Sequence, residues 1–144
     1  MKKISYIFST VLLLGLFATL GCDGDDDPTP EQLQLQKIAK TWSVQSVNLD
    51  DFDVTAPSYT NFTIQFTDDK RFITENGEPL FVGSGFWDFG TNNLDVVVID
   101  GINITTNFND EATTLQLTFT ANGNTIGGRT EGLSGSYVFN LVAQ

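Results

Sequence analysis

From Thr41 to the end of the chain, apolar and polar residues alternate in short runs. In "YTNFTIQFT", residues 59–67, Phe62, Ile64 and Phe66 point one way and Asn61, Thr63 and Gln65 the other. A period of two marks a strand with one buried face. Similar runs are "TWSVQSVNL", "KRFITEN", "SGFWDFG", "NLDVVVID", "INITTNF", "TTLQLTFTA" and "LSGSYVFNLV". Turn residues divide several of them: Asp68-Asp69, Asn76-Gly77 and Asp100-Gly101. The last, an Asp-Gly pair between apolar runs, predicts a two-residue hairpin. Ahead of the strands, "TPEQLQLQKIAK" (residues 29–40) has a different period. Thr29 suits an N-cap, Pro30 the first helical position, and Gln32 completes a capping box. Leu35, Ile38 and Ala39 share a face. A helix of about three turns cannot stand alone, so it is expected to lie against the strands and close one end.

Eight strands joined mostly by short turns pair as antiparallel neighbours. Left open, such a meander has two unprotected edges; closing into a barrel removes them. The expected fold is therefore all-β: an eight-stranded antiparallel up-and-down barrel with a short N-terminal helix. A two-sheet sandwich is the alternative if any connection crosses over. One face per strand gives an inward set rich in aromatics, with Leu94, Val96 and Val98 inward from the fifth strand and Val97, Ile99 and Val138 outward. Eight strands enclose room for their own side chains or for one small ligand. Interiors pack to crystal-like density, so most of the lumen is expected to be filled. That leaves a narrow pocket at one mouth, near Tyr59, Phe81, Trp87 and Tyr137, as the expected site for a small apolar ligand.

Four segments together resemble a known family. "AKTWSVQSV", "FTIQFTDDKRFIT", "GSGFWDFG" and "LSGSYVFNLV" are similar to the small lipocalin-like domains of Bacteroidetes-type bacterial lipoproteins. The likeness covers roughly residues 36–143 and rests on aromatic spacing. Trp42 stands where lipocalins place a Trp at the closed end, with Lys40-Thr41 replacing the usual Gly-x before it. The resemblance implies a barrel and ligand binding; no cofactor is expected.

The other end of the chain fits that resemblance. Met1-Lys2-Lys3 precedes an apolar stretch, densest in "VLLLGLFATL". From Ile4 to Leu20 it has 17 residues, short of the ~20 a spanning helix needs, and its far flank is acidic. A secretory signal is the expected reading. Cys22, the one cysteine, follows Thr19-Leu20-Gly21 and resembles the lipobox of bacterial lipoproteins, where the thiol takes a diacylglycerol and becomes the mature N-terminus. Two or more acyl chains (palmitate among them) hold a protein firmly to a membrane. Asp23, Asp25, Asp26 and Asp27 resemble the acidic signal of surface-exported lipoproteins, and equally read as an extended acidic tether. They are not an EF-hand, which wants Gly and Glu where Pro28 and Gln34 stand. The expected domains are a signal at 1–21, a lipidated tether at 22–30 and the barrel at 31–144. The expected place is the bacterial outer membrane, surface-exposed or facing the periplasm.

Charge and composition narrow the function. Without Lys2 and Lys3, five basic residues face eighteen acidic ones, a net charge of −13. Nucleic-acid binding needs cations against phosphates and is not expected. There is no histidine, so His-dependent triads and imidazole metal sites are excluded. "NGNTIGGR" lacks the phosphate-loop pattern. Paired carboxylates remain: Asp50, Asp51 and Asp53 in one loop, Asp68 and Asp69 in a turn, and Asp88 inside a strand, facing water or, with the register shifted by one, the interior. No catalytic set is assigned. The expected function is a membrane-anchored, non-enzymatic module binding a small apolar ligand at the barrel mouth. The alternative is a surface interaction or assembly module with a solid core, contacting an envelope protein or a polysaccharide.

Overall fold

The alternating runs become strands, each paired with its neighbour in sequence. The computed structural model describes residues 27–78, 80–81, 83–122 and 134–144. The expectations for residues 1–26, including the signal, Cys22 and most of the tether, lie outside the described residues, as does nearly all of "NGNTIGGR". The elements are helix α1 (Pro30–Ile38) and strands β1 (Thr41–Leu49), β2 (Phe52–Asp53), β3 (Thr63–Phe66), β4 (Arg71–Glu75), β5 (Ser84–Gly90), β6 (Asn93–Ile99), β7 (Ile102–Phe108), β8 (Thr114–Ala121) and β9 (Gly135–Ala143). From β3 to β9 every strand pairs antiparallel with the next. β1 pairs with β3 on one side and with β9 on the other, from Trp42↔Ala143 to Leu49↔Tyr137. Eight strands thus close into a barrel, and no connection crosses over to form a sandwich. β2 is a two-residue addition folded back on the end of β1 through Asp50 and Asp51, both with positive φ (48° and 69°). That backbone matches the twist of a tight hairpin.

The helix forms as its sequence dictates. Thr29 Oγ1 accepts from Gln32 N at 3.2 Å, and Gln32 Oε1 accepts from Thr29 N at 2.7 Å. Its buried residues are Gln34 and Ile38, while Leu35 packs partly against the core. The helix lies over the end of the barrel that holds Trp42. There Trp42 Nε1 donates to Ile38 O at 2.9 Å, Gln34 Nε2 donates to Asp95 Oδ1, and Lys70 bridges Glu31 and Asp88.

One register differs from expectation. Leu94, Val96 and Val98 face outward and are half-buried; Val97 and Ile99 point in and are fully buried. The run "DVVVI" is apolar on both faces, so alternation alone does not orient it. The hairpin does. Asp100 and Gly101 (φ 50° and 79°) place Ile99 directly opposite Ile102, on the same face. With Ile102 and Ile104 inward, Ile99 and Val97 must follow, because slipping one residue turns every side chain over. The expected outward patch at Val97 and Ile99 therefore does not exist, although Val138 does lie on the outer face.

Candidate functional site

Opposite the helix, the barrel's mouth is stoppered by rings. Tyr59 comes from the loop between β2 and β3, where its N–H bonds to Thr55 O and its carbonyl accepts from Phe62 N. Phe81 comes from the β4–β5 connection, and Tyr137 from β9. Their rings meet those of Phe62, Phe119 and Phe139: Tyr59–Phe139 at 5.2 Å, Phe62–Phe81 at 5.5 Å, Phe81–Phe119 at 5.6 Å, and Phe119 stacked on Tyr137 at 5.6 Å. These are edge and offset separations of favourable aromatic packing. The backbone approaches closely at Gly77, where a Cβ would stand 2.7 Å from Phe81 O and 2.9 Å from the Phe62 ring.

Three of the four expected ligand residues thus come together, and Trp87 does not. It sits toward the helix end, against Phe66 at 5.5 Å and Phe89 at 5.1 Å, with Nε1 donating to Arg71 O at 3.0 Å. All four are at most 3% exposed. The Tyr59 and Tyr137 hydroxyls interact with each other. Burial pushes the Tyr59 phenol well above its ordinary range, reinforced by Tyr137. Burial also raises Tyr137, the Asp50 charge adds to that, and the interaction with Tyr59 works against it. Beside the stopper, a cleft of about 430 Å³ opens between residues 57–60 and the β4–β5 connection, edged by Ser58, Thr60, Thr74, Asn76, Glu78 and Phe81.

Four of the six carboxylates singled out from the sequence have structural partners. Asp50 Oδ1 accepts from Ser136 N at 2.9 Å, and Asp53 Oδ1 accepts from Thr55 N at 2.8 Å, which lowers the Asp53 pKa along with the Thr55 side chain. Asp69 takes the Thr67 hydroxyl in the β3–β4 turn. Asp88 faces solvent, 2.6 Å from Lys70 Nζ, whose hydrogen bond is the main reason its carboxyl is held below the usual range. Among the described residues no group of three or more acidic, Cys or His side chains is placed to hold a metal ion. Nor is any described helix long and apolar enough to cross a membrane.

The outer wall carries features the alternation did not point to. Phe86 and Ile73, 69% and 47% exposed, lie diagonally across β4 and β5, with the Arg71 guanidinium 5.3 Å over the Phe86 ring. Around the seam, β7, β8, β9 and β1 are consecutive neighbours, and none of their residues is charged. That signal is plain in the sequence once the strands are known to be adjacent. Across them runs one row of facing positions, Asn107↔Gln116↔Asn140↔Ser46. Gln116 Nε2 donates to Asn140 Oδ1, and Asn140 Nδ2 donates to Ser46 Oγ, both at 2.9 Å. Comparison with protein-family models, with curated proteins and with solved structures finds no match for this chain.

Proposed function

We propose that this chain is a non-enzymatic binding module that works with its outer wall, held at the bacterial outer membrane by acyl chains on Cys22. The observation that carries the outward reading is the filled lumen: Tyr59, Phe81 and Tyr137, where an internal ligand would enter, are packed ring against ring and buried. Opening that mouth would separate several aromatic contacts, each worth about 0.5–1.5 kcal/mol beyond its buried area. The anchor reading is supported by the signal-like start and by the residues around Cys22.

A second reading, a small ligand held at the mouth, is favoured by the cleft of about 430 Å³ beside Phe81. Titrating a Cys22→Ser chain with an environment-sensitive apolar dye separates the two. The expected result is no saturable binding. Saturable binding displaced by a fatty acid, and weakened by Phe81→Ala, would replace the outward reading with the mouth. Mass spectrometry of the mature N-terminus tests the anchor, with a diacylglyceryl-modified Cys22 expected.

A further inference from the structure

We infer that the uncharged wall formed by β7, β8, β9 and β1 carries a binding site for a neutral polysaccharide, centred on the carboxamides of Gln45, Asn107, Gln116 and Asn140. This rests on the outward reading proposed above and gives it a site and a ligand class.

A cleft of about 380 Å³ crosses this wall, and its lining holds no charged residue. Its rim is made of carboxamides, and Phe108, Leu115 and Leu141 line it only from strand positions whose side chains turn into the core. Gln45 stands out at a bulge, where the β1–β9 register shifts between Val44 and Ser46. Bulges re-aim a side chain out of the regular ladder. The Gln45 and Asn107 amides are exposed and make no hydrogen bond among the described residues, while Gln116 uses one amide N–H on Asn140. Donors and acceptors are thus left pointing into the cleft from both ends of the row.

Three observations choose the occupant. A carboxamide both donates and accepts, as a sugar hydroxyl does, so an array of them suits a polyol. An anion or cation would lose its hydration here with no opposite charge to replace it, and a chain carrying −13 after loss of its first 21 residues repels polyanions in addition. An extended peptide usually binds by adding a strand to a free sheet edge. Here the barrel closes through β1 and β9, so this wall offers no such edge. Recognition must come from side chains standing over the strand backbone, whose donors and acceptors suit the hydroxyls of a pyranose ring.

Affinity electrophoresis of the full mature chain in non-ionic detergent tests this, using native gels containing dextran, laminarin or mannan, with polygalacturonate as the anionic comparison. Retardation is expected in at least one neutral gel and not in polygalacturonate. The double variant Gln45→Ala/Asn107→Ala should weaken it about tenfold, the loss of one or two net hydrogen bonds. Both residues are exposed and free of internal bonds, so the fold survives, which circular dichroism checks. Phe86→Ala, on β5 and outside this wall, should leave retardation unchanged. Mobility unaltered by every neutral polysaccharide, retardation by polygalacturonate, or retardation indifferent to the double variant would each overturn the site. Apolar-dye binding at the mouth would instead overturn the outward reading, and the two failures are read in different experiments.

Discussion

Tyr59 and Tyr137 stay neutral because of where they sit. Each would ionise near pH 10 in an unfolded chain, and burial raises both in the fold. Unfolding therefore releases protons above that pH. The pair's contribution is complete below about pH 10 and is lost as pH rises beyond it. Urea midpoints should fall steeply above pH 10. Tyr59→Phe removes one of the two raised phenols and should flatten the alkaline fall. The sequence placed both at one mouth but did not show the contact between their hydroxyls. "YTNFTIQFT" reads as one strand, but β3 starts only at Thr63, and Tyr59 is placed by a turn. Its partner comes from the other end of the chain. Asp88 was expected to face water because that register buries Trp87 and Phe89, and the structure has Trp87 buried, Phe86 exposed and Asp88 in solvent.

Elements whose signals are local matched their sequence closely. The capping box at Thr29 and Gln32 sets the helix start, and Asp100-Gly101 sets a hairpin, because each specifies its own backbone geometry within four residues. Strand β6 shows the limit of alternation, for with Val96, Val97 and Val98 in a row both faces look alike. Its orientation was available from the turn, once Ile99 and Ile102 were required to share a face. The assignment has a direct test. Val97→Lys places an ammonium among buried rings and aliphatics and should unfold the barrel, at a cost of about 4 kcal/mol or more. Val96→Lys, one residue away and facing out, should cost about 1 kcal/mol or less. Urea melts of the two variants distinguish the registers, and the opposite order would restore the inward Val96.

Across the whole molecule, closure depends on the seam between β1 and β9. The sequence implied closure through the trouble that two open edges cause, and closure puts the first strand beside the last; the uncharged wall follows from that adjacency, although alternation within single strands does not mark it. Deleting residues 135–144 would leave β1 and β8 as open edges and uncover Leu115, Leu117 and Phe119. The shortened chain is expected to self-associate, eluting early in size-exclusion chromatography. The same seam governs how the barrel bears tension. Thr41 and Gln144 lie side by side, with Gln144 N bonded to Thr41 O at 3.0 Å. Pulling those two residues apart loads the seam's bonds in turn, as a zip is opened. Pulling along the strands instead loads many of those bonds at once, so the barrel resists shear better than peeling.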